Sequence, residues 1–182
     1  DSTARTPYNI YNTLSAYTAL KTMGAGYVGF KEMIEAFDYG NNRESIFTID
    51  GARVQLHLAK NPIGFQQKIS LVLKDEKPKD IIIQINDTAQ DGRDISWLWD
   101  VDFQYLADSS AQRIITAGTR RYDMGLRLKY EDIPCETTTD LKAAVADCAK
   151  NGTKNLYVIV NYSGLYRTNH MLAELEKGGA GE

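Results

Sequence analysis

The sequence predicts an α/β fold: a mostly parallel sheet with helices on both faces, preceded by a β-hairpin and two N-terminal helices. Three observations carry that expectation. The apolar period changes from about 3.6 to 2 past Arg43, which separates a helical start from strands. Beyond the hairpin, strands alternate with helical segments, and same-sense strands need crossovers. The segment Asp80–Asp87 (DIIIQIND) holds Ile81, Ile82, Ile83 and Ile85, the continuous apolar run of a strand covered on both faces.

In chain order, Asn12, Leu14, Ala16, Ala19, Leu20 and Met23 form a loose helical stripe, with Pro7 near its start and Gly24 and Gly26 at its end. A second short helix is expected from Val28 to Phe37, with Phe30, Met33, Ile34 and Phe37 on one side. The two carry little apolar surface and read as the tail of a preceding domain. Residues 38–43 are a loop by composition. Ser45–Asp50 and Arg53–Ala59 make a hairpin around Asp50-Gly51, the dipeptide favoured in type I′ turns. Val54, Leu56 and Leu58 alternate with Arg53, Gln55 and His57, which predicts one buried and one solvated face. Pro62 and Gly64 break the chain before a helix from Phe65 to Leu73, and Lys74–Lys79 is a charged surface link.

A helix is expected over Ile95–Leu106, a strand over Arg113–Gly118 and a helix over Tyr122–Glu131. Thr139 is the expected N-cap of a helix over Asp140–Lys150, where Leu141, Ala144, Val145 and Cys148 share a face. Gly152 closes it, Leu156–Tyr162 is a last strand and Leu165–Leu175 a last helix. The terminal Gly178–Glu182 is expected to be disordered. The whole is Rossmann-like, with residues 1–40 as an appendage and 41–182 as the main domain.

Composition excludes several function classes. A chain of 182 residues, 43% apolar, can bury a core without metal or disulfide help. Net charge is −3 and the pI about 5.5, against a nucleic-acid surface. Cys135 and Cys148 are too few for a disulfide framework, and no pair of zinc-ligand spacing occurs. No apolar run approaches the roughly 20 residues of a membrane span, and residues 1–5 show no signal-peptide core. The expectation is a soluble, intracellular protein.

The densest polar cluster is Asn86-Asp87-Thr-Ala-Gln-Asp91-Gly92-Arg93-Asp94, directly after the most apolar strand. Loops beyond the carboxyl ends of parallel strands are where ligands and catalytic groups sit. The plainer account is a turn at Asp91-Gly92 and a helix cap at Asp94; one loop can do both. It is no calcium loop: counted from Asp87, Ala89 and Leu98 stand where oxygen ligands are required. A thiol nucleophile needs a histidine base. Cys148 lies on an apolar stripe, Cys135 shows no sign of activation, His57 sits on the polar side of its strand and His170 on a surface helix. No phosphate loop occurs. Lys60-Asn61-Pro62-Ile63-Gly64 lies at a strand-to-helix junction, where a lysine and a helix N-terminus attract phosphate; it also reads as a simple Asn-Pro turn.

These segments carry a resemblance. Pro7-Tyr-Asn9-Ile-Tyr-Asn12-Thr-Leu-Ser-Ala-Tyr resembles the helix that closes the ATP-binding central domain of Mur ligases, and Asn42-Arg43-Glu44 is similar to the end of their interdomain linker. Lys60-Asn61-Pro62-x-Gly64, the segment Asn86 to Phe103 with its D-G-R-D-x-S-W core, and Gly118-Thr-Arg-x-Tyr-Asp-Met resemble the MurT family, the Mur-ligase-like subunits of lipid II isoglutaminyl synthase. The resemblance spans Pro7 to the last helix.

It implies a partner, a GatD-type glutamine amidotransferase subunit carrying a Cys and a His. It also implies ATP with Mg2+ in the intact enzyme, and amidation of the D-glutamate α-carboxylate in the lipid II stem peptide at the inner face of the membrane. Under the resemblance Asp94, the second Asp of D-G-R-D, is the acid that completes the partner's triad, and Asn12, Arg43, Lys60 and Asn61 are nucleotide contacts. Because the family's phosphate loop and zinc ribbon are absent, the chain is expected to be a fragment inactive alone: the last central-domain helices (1–40) and the C-terminal domain (41–182). Asn42 stands where many relatives have Gly. Two other readings compete. One is a docking module built on Trp97, Trp99 and Phe103; the other is a nucleotide-binding domain of the folylpolyglutamate-synthase type, which the missing phosphate loop opposes.

Overall fold

The computed structural model describes residues 7–24, 29–36 and 44–179. The chain divides into two compact units, Asp1–Asn41 and Asn42–Glu182. The first holds α1 (Pro7–Thr22) and α2 (Phe30–Ala36). Proline suits the opening turn of α1 because its missing N–H would have had no helical partner there. Tyr17 packs on Phe30 with ring centroids 5.4 Å apart. No described side chain of either helix is buried. The expected features at Gly26, Val28, Phe37 and 38–43, Arg43 among them, lie outside the described residues.

The second unit runs β1 (Glu44–Ile49), β2 (Ala52–Leu58), α3 (Pro62–Lys74), β3 (Lys79–Gln84), two 3-10 turns (Ser96–Asp100 and Phe103–Asp108), β4 (Ala111–Ala117), α4 (Arg121–Lys129), β5 (Glu136–Thr137), α5 (Leu141–Asn151), β6 (Asn155–Val160) and α6 (Tyr162–Gly179). One six-stranded sheet has the order β1-β2-β6-β3-β4-β5. Only β1 is antiparallel, in register Ile49↔Ala52 across the hairpin. Asp50 and Gly51 both have positive φ, 47° and 73°, as a type I′ turn demands.

Because β6 inserts between β2 and β3, the helices fall on two faces. One core layer joins Phe65, Ile69 and Val72 of α3, Leu98, Val101, Phe103 and Leu106 of the 3-10 segment, and Met124 and Leu128 of α4 to Ile81, Ile83 and Ile85. The other joins Val145, Cys148 and Ala149 of α5 and Leu172 of α6 to Phe47, Val54, Leu56, Ile82 and Val158. Each large side chain so buried contributes about 1.5–3 kcal/mol.

Five local expectations are corrected. His57 is buried at 4% exposure and Gln55 at 6%. They share a sheet face with Tyr157 and Ile159 of β6, which the α3 layer covers, and His57 stacks on Tyr157. Lys79 of the charged link is fully buried; its ammonium donates to the Asp75 carbonyl and the Ser110 hydroxyl. The helix over 95–106 is two 3-10 turns, because the Arg127 guanidinium takes the Leu98 and Val101 carbonyls that a helical ladder would use (3.2 and 2.8 Å). Asp140, not Thr139, caps α5, accepting from Ala143 N–H at 3.0 Å. α6 continues to Gly179, past the expected disorder boundary, and 180–182 lie outside the described residues.

Two-residue β5 has no sequence signature. The Arg113 fork holds Glu136 through both carboxylate oxygens at 3.0 Å and reaches Asp147 of α5 at 2.7 Å. One side chain therefore pins the last strand and the following helix to β4.

Candidate functional site

The parallel strands β2, β3, β4 and β6 all end on the same edge, so the loops 59–61, 85–95, 118–120 and Asn161–Ser163 form one ledge. Buried Asn161 is its keystone. Its amide accepts from the Asn86 N–H at 3.1 Å and donates to the Asn86 carbonyl at 2.7 Å. The Asn86 side chain then donates to Ser163 Oγ (3.2 Å) and accepts from Thr119 N–H (3.1 Å). Three loops are thus cross-linked by two asparagines.

The carboxylates of the cluster separate by what they touch. Asp87 accepts from Thr119 Oγ1 at 2.7 Å and Arg120 Nε at 2.9 Å. The threonine bond first, and then the Arg120 charge, hold its carboxyl below the usual range. Asp91 accepts from Thr88 Oγ1 (2.8 Å) and from Ser163 N–H (2.9 Å), so it caps the first turn of α6. Asp94 is exposed and accepts from the Ser96 N–H at 2.8 Å, with the Ser96 side chain as a further donor. The Ser96 backbone bond first, and then its side chain, hold the carboxyl below the ordinary carboxylate range. The turn half of the plainer account holds, with Gly92 at positive φ, but Asp94 caps no helix: Ile95 stands at the N-cap of the 3-10 turn Ser96–Asp100, without a side-chain cap bond, and Asp94 is left exposed.

At the β2–α3 junction Asn61 Oδ1 accepts the Gly64 N–H at 2.7 Å and caps α3, with Pro62 in the first turn. Lys60 is exposed, its ammonium 5.7 Å from the Tyr162 ring centre. Asn12 is exposed on α1, in the other unit, and Arg43 is outside the described residues. Of the residues singled out from the sequence, the structure brings Lys60, Asn61 and Asp94 to the same ledge.

Sequence reasoning missed Asn161, Ser163, Thr119, Arg120 and Tyr162 as members. The available signal was position: each directly follows an apolar strand. It also overestimated the aromatic cluster. Phe103 is fully buried and Trp97 packs on Phe65 at 5.5 Å, so both are core. Trp99 alone is exposed, at 53%, edge-on to the exposed Tyr130.

The ledge has no nucleophile–base pair among the described residues. Cys148 is buried on the far core layer, its thiol pushed up to about 11 by burial, and burial also raises Cys135. His170 packs on Tyr166 of the same helix. No group of three or more His, Cys, Asp or Glu among the described residues is arranged to hold a metal ion. No described helix is long and apolar enough to cross a membrane.

The family described as MurT ligase C-terminal matches residues 58–165. The lipid II isoglutaminyl synthase (glutamine-hydrolyzing) subunit MurT of Staphylococcus aureus is 32% identical over 173 residues, 94% of this chain and 40% of the relative. Its namesake from Streptococcus pneumoniae is 28% identical over 169 residues, 91% and 38% of the two chains. The chain thus spans about 40% of the length of the curated relatives it matches. Among solved structures, the UDP-N-acetylmuramate-alanine ligase MurC of Thermotoga maritima superposes with a TM-score of 0.62 at 14% identity, over 94% of this chain and 38% of that one. The folylpolyglutamate synthase of the same organism gives 0.56 at 16%, over 94% and 40%. Both are likenesses of fold.

Proposed function

The chain belongs to the MurT ligase C-terminal family, and on that premise we propose that it docks a GatD-type glutaminase subunit and supplies Asp94 to that subunit's active site. The observation that carries the reading is an exposed, ionised carboxylate on a strand-end loop whose own unit offers no nucleophile–base pair among the described residues.

The chemistry follows from the geometry of such a constellation. The partner's thiolate attacks the glutamine carboxamide carbon, the C–N bond breaks and the imidazolium gives its proton to the leaving ammonia. Water then hydrolyses the thioester to glutamate. Asp94 accepts the imidazole N–H, fixes the tautomer and stabilises the imidazolium that forms. In the intact ligase, ATP activates the D-glutamate α-carboxylate of lipid II by phosphorylation, so that ammonia displaces phosphate. Lys60 suits the phosphate side of that reaction as an exposed cation on the ledge, with Asn12, Arg43 and Asn61 as further nucleotide contacts. Mg2+ would accompany ATP in the intact ligase, and no step here is routed through it. Action on lipid II places the complex at the inner face of the membrane.

The test is Asp94→Asn in a complex reconstituted with the glutaminase subunit, checked first for assembly. Glutamine hydrolysis is expected to fall on the order of 10²–10³-fold, less than in a serine enzyme because a thiol needs less help from its base. Ammonia-driven amidation by the full-length subunit stays intact. Near-normal hydrolysis by an assembled mutant complex overturns the shared-triad reading. It would leave the docking-module reading, which the exposed Trp99–Tyr130 pair favours.

A further inference from the structure

At the amino ends of β2 and β6, opposite the ledge, an open cleft of about 610 Å³ is lined by Arg53, Lys74, Asp75, Lys77, Lys154, Asn155 and Tyr157, among others. Its floor is a closed polar network. Asp75 Oδ2 accepts from Asn155 Nδ2 and Tyr157 OH, both at 2.8 Å, and Oδ1 accepts from the Lys77 N–H at 3.1 Å. Gln55 Nε2 donates to Asn155 Oδ1 at 3.2 Å. Burial works against the Asp75 carboxylate, yet the Asn155 and Tyr157 bonds hold it below the usual range. The one carboxylate lining the cleft therefore has both oxygens engaged inward.

The cations are placed differently. The Lys154 ammonium is spent on the carbonyls of Asp50, Ala149 and Lys150, closing the end of α5. Arg53, Lys74 and Lys77 have no ion-pair partner among the described residues. Three unpaired cations thus border one concavity in a chain of net charge −3.

We propose that this cleft binds a small molecule bearing a diphosphate group. A diphosphate carries about three negative charges at neutral pH, matching three cations; the guanidinium fork suits a phosphoryl edge and the lysines act as point charges. The volume lies within the roughly 300–1,000 Å³ of small-molecule sites, and Leu71 and Pro78 supply an apolar wall for the rest of the ligand. The site stands at the opposite end of the strands from Lys60 and Asp94, so it does not depend on the function proposed for them.

The experiment titrates isotope-labelled chain with inorganic pyrophosphate at constant ionic strength, following backbone amide shifts. Citrate serves as a non-phosphate anion of similar charge. Saturable shifts are expected at Arg53, Thr153, Lys154 and Asn155, with a Kd at or below about 1 mM. The Arg53→Gln/Lys77→Gln double variant is expected to bind at least about tenfold more weakly. Lys60→Gln should leave these shifts and their Kd unchanged. All three substituted residues are exposed, so the variants keep the fold, which their own spectra verify. Absence of saturation, binding undiminished in the double variant, or citrate binding as tightly as pyrophosphate would each overturn the proposal.

Discussion

Gly118 holds φ at +90°, and a Cβ there would come within 2.3 Å of the Ile85 carbonyl oxygen and 2.7 Å of Asn86 Oδ1. The β4 chain end can lie against β3 only without a side chain, and this approach lets Arg120 N–H reach the Ile85 carbonyl at 2.9 Å. Gly118→Ala should therefore destabilise the unit by about 2–4 kcal/mol, from left-handed backbone strain plus overpacking. Urea unfolding measures it, and a change below about 0.5 kcal/mol would mean the loops re-form without this contact. At the same scale, Asp91 and Asp94 are three residues apart in one loop and differ in role. Asp91 spends its oxygens on Thr88 and Ser163, which tie it to α6, while Asp94 bonds only to Ser96, two residues along its own loop. Of the two, Asp94 is the exposed one.

Between β3 and β4 the connecting element owes its form to a partner in α4. Arg127 is 5% exposed, donates to the Leu98 and Val101 carbonyls, and lies over the Trp99 and Phe103 rings at 5.3 and 5.5 Å. Glu131, one turn on, pairs with it. Removing the guanidinium leaves two carbonyls without their donor and two rings without their cation. Arg127→Met should cost about 2–4 kcal/mol, and Arg127→Lys should recover only part, since an ammonium cannot span both carbonyls. Urea midpoints followed by tryptophan emission report both. If Arg127→Met unfolds at the wild-type midpoint, the 3-10 segment holds its shape without this side chain.

Across the whole second unit, ionised carboxylates tie elements that are distant in sequence. Arg113 lowers Glu136 and Asp147, a Thr119 bond and Arg120 lower Asp87, and Asp75 is held down against its burial by Asn155 and Tyr157. A carboxyl depressed in the folded state adds stability above its unfolded pKa, about 3.9 for Asp and 4.3 for Glu. That stability is lost as pH falls through the lower folded value. Urea midpoints should thus be nearly level from pH 7 to about 5 and fall below about pH 4. The fall should be shallower in Asp75→Asn. A midpoint unchanged down to about pH 2.5 would show that these pairs contribute nothing to folding.

Periodicity and turn chemistry carried most of the architecture, because they are local properties that neighbours along the chain impose on one another. The Asp50-Gly51 hairpin, the three-isoleucine strand β3, the apolar stripe of α5 and the Lys60–Gly64 junction were all legible that way. The D-G-R-D loop and its place after β3 were legible too, as was the family resemblance. Tertiary structure alone decided which side chains that loop spends on itself, since Ser163 and Thr119 lie 72 and 32 residues from Asp91 and Asp87. It also buried His57 and Lys79 against the pattern of their own segments, because a strand's second face is polar or apolar according to what packs on it. It replaced an expected helix with 3-10 turns, because a guanidinium 26 and 29 residues away competes for the same carbonyls. The cleft at Arg53 has the same origin: its cations come from β2, α3 and the link beyond it, and only the crossover that inserts β6 between β2 and β3 brings the Asp75 network to its floor.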